Sequence, residues 1–194
     1  PATGPELGST KVRLSSALYG NGSDYRVHLD SFGSNFSVLV PSVPRPDHIE
    51  FVTPLAISGV VVLRTSLNAQ QYSPPDLRFT FYAQPSLSTI SPSCGPRHGQ
   101  TSVAIIGTNL VRHGSHRLCE FGSLVDASSH GEASLKCISP YASASFRPFE
   151  VTLNGQQYTV DGLVWAFTST PRISNIWPVM GETSSNLVVT ISGS

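Results

Sequence analysis

Closely spaced histidine and cysteine side chains are the first residues of this sequence that could do chemistry, by holding a metal ion. His113, His116 and Cys119 have such a spacing. A structural zinc site takes four ligands, however, and no complementary Cys/His pair stands nearby in the sequence. Polar histidines of a loop are the alternative interpretation. We therefore predict that the chain has no metal-binding residues.

The sequence carries no recognisable catalytic motif. The patterns GxSxG, HExxH and GxxxxGK[ST], which mark hydrolase nucleophiles, zinc proteases and phosphate-binding loops, do not occur. Asp24, Asp30, Asp47 and Asp76 stand among turn-forming residues, where a carboxylate caps a turn better than it performs acid–base catalysis. We predict a protein without enzymatic activity, with no catalytic residues and no cofactor.

The charge of the chain argues against two classes of partner. Twelve Lys/Arg balance twelve Asp/Glu, and the basic residues are not clustered. Nucleic acids and anionic membrane surfaces are bound through concentrated positive charge, so neither is expected here. No apolar run approaches the ~20 residues of a transmembrane helix. We expect membrane attachment, if the full protein has any, to lie outside this segment.

Two sequons for N-linked glycosylation occur near the start of the chain. They are Asn21-Gly22-Ser23 and Asn35-Phe36-Ser37. Both lie in or beside predicted loops, where an oligosaccharide can be attached. Such triplets also arise by chance, so they favour a secretory protein only together with other evidence.

An internal repeat organises the whole chain. The segment SLNAQQYS at residues 66–73 returns as TLNGQQYT at residues 152–159, an offset of 86. The offset is 91 at the start of the chain, and an offset of 89 aligns Leu29 with Leu118. A third copy begins near Pro171, where the sequence follows that of residues 86–107. We predict a tandem array that is cut at both ends, with residues 1–85, 86–171 and 172–194 as its units.

Each repeat is predicted to be an all-β sandwich. Leu77, Phe79 and Phe81 alternate with polar residues, which is the period of a strand with one buried face, and the second repeat shows the same pattern. Short strand-like runs are separated by turns such as Asn154-Gly155. The fold class is therefore tandem immunoglobulin-like β-sandwiches, two complete and a third truncated.

The ordered motifs of these repeats resemble those of the IPT/TIG family, immunoglobulin-like domains shared by plexins, transcription factors and many surface proteins. The second repeat carries the fullest pattern, with ISPSCGPRHGQTSVAIIGTNL, CEFG, LKCISP, FEVTLNG and LVWAFTSTP in that order. The first repeat matches it at GPELGSTKV, SFGS, IEFVTP and LRFTFYAQP. The resemblance covers essentially the whole chain and implies a sandwich in each repeat.

Two of the three cysteines are candidates for a disulfide. Cys119 and Cys137 are both present in the second repeat, whereas the aligned positions of the first are Asp30 and Phe51. Joint presence and joint absence are expected of a bonded pair, and the family often has cysteines at these two places. Two buried free thiols are the alternative. Cys94 is left over as a turn thiol or a link to another chain.

The resemblance implies a non-enzymatic segment of a larger extracellular or cell-surface protein. Its repeats would form a semi-rigid stalk, appendage or interaction array, and its partners would be other protein chains or neighbouring repeats, with self-assembly as one form. We interpret Trp177 as a contact between the second and third repeats. The alternatives are an accessory, glycan-binding module of a large secreted enzyme and, less favoured, a DNA-binding or intracellular scaffold module.

Overall fold

Every secondary-structure element that the structure describes is a β-strand, which confirms the predicted all-β class. The computed structural model describes residues 2–15, 22–31, 37–110, 116–130, 134–183 and 186–194. No helix within these ranges is long and apolar enough to cross a membrane.

The strands follow the repeats. The first repeat contains β1 Thr3–Pro5, β2 Lys11–Ser15, β3 Arg26–Ser31, β4 Ser37–Pro41, β5 Val43–Pro44, β6 His48–Val52, β7 Gly59–Ser66 and β8 Leu77–Tyr82. The second contains β9 Ser86–Ser91, β10 Cys94–Pro96, β11 Ser102–Thr108, β12 Leu118–Glu120, β13 Leu124–Asp126, β14 Ser128–Ser129, β15 Ser134–Ile138, β16 Ser145–Pro148, β17 Glu150–Thr152 and β18 Val164–Thr168. The third contains β19 Ile173–Trp177 and β20 Thr190–Gly193.

The first repeat folds as two sheets around one apolar core. One sheet has the strand order β1-β8-β7-β3-β4 and the other β2-β6-β5. Alternate residues of the strands point inward, as the period-two pattern predicts. The resulting core contains Val12, Leu14, Val27, Leu29, Val40, Ile49, Phe51, Val61, Leu63, Phe79 and Phe81. Leu77 is an exception to the predicted pattern, because it lies at the start of β8 and is 49% exposed.

The second repeat has the same layers with one difference in strand continuity. Its sheets are β14-β15-β11-β9, β10-β18-β16 and β13-β12-β17. In the first repeat β7 is one continuous strand. At the corresponding positions of the second repeat there are two shorter strands, β16 and β17, and they belong to different sheets. The core is built around Trp165 and Phe121, whose rings meet edge to face with centroids 5.3 Å apart.

Strand register corrects one part of the repeat alignment. Val27 pairs with Thr65 in the first repeat, and Cys119 pairs with Val151 at the corresponding place in the second. Cys119 therefore matches Val27 at an offset of 92, and the alignment with Asp30 is wrong. The chain between β3 and β6 carries extra residues in the first repeat, so a comparison of short motifs slipped by three positions there.

The third repeat consists of one described hairpin, β19 paired with β20. Its apolar residues have little cover in this structure, and Trp177 is 70% exposed. The interpretation of Trp177 as an inter-repeat contact is therefore wrong for the described structure. Two strands bury too little apolar surface to shield a residue of this size.

Replacing Trp165 by alanine should destabilise the second repeat strongly. The side chain is fully buried, and truncation of a buried Trp leaves a cavity that costs about 3–5 kcal/mol of unfolding free energy. Urea unfolding followed by circular dichroism measures the loss. Phe146→Ala is the matched control, because Phe146 lies on the neighbouring strand and is 79% exposed. Equal effects of the two substitutions would contradict the described core.

Candidate inter-repeat interface

The repeated segments at residues 66–73 and 152–159, which we call the Gln-Gln loops, share one internal structure. In the second loop the side-chain oxygen of Asn154 accepts the backbone N–H groups of Gln156 and Gln157, at 3.0 and 3.2 Å. The Asn154 amide also donates to the side-chain oxygen of Gln157 at 2.6 Å. An asparagine that binds its own backbone two and three residues ahead fixes a tight turn.

The first Gln-Gln loop repeats these hydrogen bonds. The Asn68 oxygen accepts from Gln70 and Gln71 at 3.0 and 3.2 Å, and its amide donates to Gln71 at 2.5 Å. Ala69 takes a left-handed conformation with φ of 59°, as Gly155 does with φ of 73°. The turn therefore tolerates alanine where glycine would be preferred.

The second Gln-Gln loop is docked on the first repeat. Its contact is the turn before β2, and we call residues 6–11, with their counterparts 97–102, the first turns of the two repeats. The Gln156 side chain accepts from the Lys11 N–H and donates to the Lys11 carbonyl, both at 2.9 Å. Gln157 donates to the Ser9 carbonyl at 2.9 Å and accepts from the Thr10 hydroxyl at 3.1 Å. The two glutamine side chains thus pair with backbone N–H and C=O groups of the first turn, as the backbone of a neighbouring strand would.

Docking buries polar groups whose counterparts remain accessible. Thr10 is fully buried and Asn154 is 4% exposed. The equivalent residues Thr101 and Asn68 are half-buried and exposed, respectively. Since the loops and turns of the two repeats have the same internal hydrogen bonds, the difference in exposure follows from the contact itself.

A carboxylate of the second repeat fixes the strand that follows the connection between the first two repeats. Ala83, Gln84 and Pro85 are the only residues between β8 and β9. Asp161 accepts the Leu87 N–H at 2.7 Å and the Ser86 hydroxyl at 2.9 Å. The start of β9 is therefore fixed to the segment that follows the docked Gln-Gln loop.

An aromatic side chain from the first repeat adds an apolar part to this interface. Tyr82, the last residue of β8, is buried in the core cluster of the second repeat together with Leu87 and Leu110. Burial raises the pKa of the Tyr82 hydroxyl, so the side chain stays neutral at physiological pH. The apolar and polar contacts join the same two repeats.

Charged groups near the interface form ion pairs around Glu50. The Arg13 guanidinium lies 2.8 Å from Glu50, and His48 lies within 3.3 Å of the same carboxylate. The hydrogen bond with His48 is the main cause that lowers the pKa values of Glu50 and Asp47. The Arg13 side chain is 68% exposed, whereas those of His48 and Glu50 are 16% and 15% exposed, so solvent screens the Arg13 pair more than the His48 pair.

One carboxyl group beside the docked loop is shifted in the opposite direction. Burial raises the pKa of Glu150, and the Thr159 hydroxyl donates to it at 2.7 Å. The Thr159 hydroxyl also accepts the Val151 N–H at 3.0 Å, which closes the base of the loop. These contacts give Glu150 a structural explanation without a catalytic role.

A disulfide joins the two layers of the second repeat. Cys119 of β12 and Cys137 of β15 are bonded, with Cα atoms 6.5 Å apart and both side chains buried. Their structural counterparts in the first repeat are Val27 and Phe51, an apolar pair of the core. The same inward positions are therefore linked covalently in one repeat and by packing in the other.

Some of the remaining residues considered in the sequence analysis lie within the part of the chain that the structure describes, and others do not. Cys94 is a free, exposed thiol. The His116 N–H donates to the Leu153 carbonyl at 3.3 Å, which gives this histidine a place beside the Gln-Gln loop. Asn21, Asn35 and His113 lie outside the described residues.

Gln156 and Gln157 make the inter-repeat contact, but their sequence context predicts no role for them. The sequence nevertheless contained a sign of their importance. The same Gln-Gln pair occurs in both repeats, whereas polar residues that only face solvent are free to differ between copies. Recurrence of a polar pair indicates a role that its repeat needs beyond solubility. The pattern gives no indication of which surface the pair contacts.

Comparison with known proteins identifies the family. The model of the IPT/TIG domain matches residues 85–164, which include most of the second sandwich and its docked loop. The second repeat is an IPT/TIG domain. The resemblance predicted from the ordered motifs is thereby confirmed, and IPT/TIG domains of plexins are non-catalytic, immunoglobulin-like modules.

The chain is similar to several plexins. It is 25% identical to mouse Plexin-A4 over the whole chain and 10% of that protein, and 23% identical to rat Plexin-A3 over the whole chain and 11% of that protein. It is 30% identical to mouse Plexin-A2 over 60% of the chain and 6% of that protein. The chain thus spans about a tenth or less of the length of these relatives.

A solved structure supports the fold assignment. The full extracellular region of plexin A4 aligns with the whole chain at 19% identity and a TM-score of 0.57, with 17% of that region covered. This likeness shows the immunoglobulin-like fold. Together with the plexin relatives it confirms the predicted extracellular or cell-surface location.

Removal of the disulfide should destabilise the second repeat. A bond that closes a loop of this length contributes about 3 kcal/mol to the free energy of unfolding. The variant Cys119→Ala/Cys137→Ala should lose that amount in urea unfolding, whereas Cys94→Ala, which removes an exposed thiol, should change little. Reductant should weaken the unmodified chain and leave the double variant unchanged. An equal response of both proteins to reductant would contradict a formed disulfide.

Proposed function

We propose that this chain is a spacer and interaction segment of an extracellular or cell-surface protein, in which tandem IPT/TIG repeats form a semi-rigid rod without enzymatic activity. Its units are residues 1–85, 86–171 and the start of a third at 172–194. The observation that carries the proposal is the docking of the second Gln-Gln loop on the first turn of the preceding repeat. A flexible string of domains would not bury Thr10 and Asn154 between them.

Three independent features favour restricted bending at this junction. The connection is only three residues long and ends in a proline, which limits the conformations of the chain. Tyr82 inserts an aromatic ring into the next core. The two glutamines hold the first turn, so the domains are attached at more than their covalent link.

Partners of such a rod would be proteins, either neighbouring repeats or other chains. The relatives are plexins, and their extracellular regions are built from many domains, ten in the plexin A4 structure. The exposed edge strands and the loops at the sandwich ends are the surfaces available for contact. Self-assembly and binding of a glycan remain proposals of the same kind, with no residues assigned to them.

Removal of both interface glutamines should loosen the junction. Gln156→Ala/Gln157→Ala eliminates the glutamine bonds to Ser9, Thr10 and Lys11 and leaves only the longer bond from the Asn154 amide to the Thr10 hydroxyl, at 3.4 Å. We expect a broader distribution of inter-domain distances in small-angle scattering. Exchange of the Lys11 amide hydrogen should be about tenfold faster, as expected from a lost hydrogen bond of ~1.4 kcal/mol.

The matched control is Gln70→Ala/Gln71→Ala, which makes the same chemical change on the loop that forms no hydrogen bond with another repeat in the described parts of the chain. It should leave both the scattering and the Lys11 exchange rate unchanged. The proposal fails if the unmodified chain already scatters as freely reorienting domains, or if both double variants give identical results.

Glycan at the two sequons is a further prediction. Mass spectrometric peptide mapping of protein secreted by eukaryotic cells, without deglycosylation, should find an oligosaccharide on Asn21 or Asn35. Asn21→Gln and Asn35→Gln should each remove only the corresponding modified peptide. Unmodified asparagines at both positions would contradict the predicted modification while leaving the rod proposal to the scattering test.

A further inference from the structure

The first Gln-Gln loop has the structure of the docked loop but, among the residues that the structure describes, it forms no hydrogen bond with another repeat. The Gln70 side chain, which corresponds to Gln156, forms no hydrogen bond within the described part of the chain. Resting on the proposed function, we infer that Asn68, Gln70 and Gln71 are a docking surface for the first turn of another IPT/TIG repeat, one that precedes residue 1 in an extended array.

The loop is already in the binding conformation. The bonds from Asn68 to Gln70 and Gln71 match those of the docked copy to within 0.1 Å. The backbone closure is also the same, since Ser73 donates to the Thr65 carbonyl at 2.8 Å and receives the Thr65 N–H at 3.0 Å. A surface that is ordered before contact loses less conformational entropy on binding.

The chemistry of the docked pair defines what the partner must offer. Gln156 binds only the N–H and C=O of Lys11, and Gln157 binds the carbonyl of Ser9. The Thr10 hydroxyl is the one side-chain group of the described first turn that the glutamines bind. Recognition therefore requires the backbone shape of the first turn and one hydroxyl, and it tolerates changes of sequence on either side of that threonine.

The first turn of the second repeat meets these requirements. The Thr101 N–H donates to the Ser139 hydroxyl at 3.1 Å, as the Thr10 N–H donates to the Thr53 hydroxyl at 3.0 Å. Gln100 takes a left-handed φ of 65°, close to the 61° of Ser9. The same turn is therefore presented twice, and its second copy retains the hydroxyl that the glutamines bind.

The two ends of the chain are complementary as a result. The first repeat exposes a loop that can dock, and the second repeat leaves Thr101 half-buried where the docked Thr10 is covered. If each Gln-Gln loop docked on the first turn of the preceding repeat, the array would continue in both directions with the same geometry between successive repeats. The occupant of the first loop is thus a repeat of the same kind.

A tandem chain in which residues 1–91 precede the complete residues 1–194 tests this inference. Pro1 corresponds to Pro92, so the join restores the natural junction and supplies the strand equivalent of β9 to the following repeat. The leading first turn then faces Asn68, Gln70 and Gln71 of the complete copy. A Lys11→Arg substitution in the leading copy keeps the backbone contact and distinguishes its peptides by mass.

The expected result is slow hydrogen exchange at the amide of the leading position 11, about tenfold slower than in the same chain with Gln70→Ala/Gln71→Ala in the complete copy. Gln156→Ala/Gln157→Ala should instead release only Lys11 of the complete copy. A leading amide that exchanges equally fast with and without Gln70 and Gln71 overturns the inference. If Lys11 of the complete copy remains protected, the rod proposal stands; if neither is protected, both fail.

A second measurement avoids the extended chain. Isotope-labelled 194-residue protein is mixed with excess unlabelled protein, and the side-chain amide signals of Gln70 and Gln71 are followed by NMR. Concentration-dependent shifts that disappear when the unlabelled partner carries Thr101→Val support head-to-tail docking. Signals that do not move, or that move equally with the Thr101→Val partner, overturn it.

Discussion

The requirement that buried backbone groups find hydrogen-bond partners governs the junction of this protein. A sandwich satisfies most N–H and C=O groups within its sheets, but the turns at its ends expose some that a neighbouring domain would desolvate. Here the Gln156 carboxamide supplies both a donor and an acceptor to Lys11, so the backbone groups of Lys11 stay paired when the domains approach. The short connection and the inserted Tyr82 ring depend on this compatibility, because either would otherwise press polar backbone against a poorly matched surface.

The fold could be predicted from the sequence because the repeat shows twice which positions are apolar. Phe79 and Trp165 align at the offset of 86, and both are fully buried. The alignment failed at Cys119, where the extra residues before β6 change the spacing and short motifs no longer identify equivalent positions. Register, which depends on pairing across a sheet, was needed to match Cys119 with Val27.

The interface was harder to predict because its energetics are not local. Gln156 and Gln157 lie more than 140 positions from the residues they bind, and glutamine has no periodicity that points to a partner. Trp177 shows the opposite error, since a large aromatic residue at a junction indicated contact but is exposed. The type of a residue predicts which kinds of contact its side chain can form, whereas the arrangement of the two domains determines which contacts it does form.

The disulfide gives the two complete repeats different mechanical behaviour if the array is pulled from its ends. The loop between Cys119 and Cys137 cannot extend, which removes about 60 Å from the length that the second repeat would release on forced unfolding, at ~3.4 Å for each of the 18 positions. The first repeat, with Val27 and Phe51 at the same places, would release its full contour length. A rod of this design would therefore lengthen by unequal steps under tension.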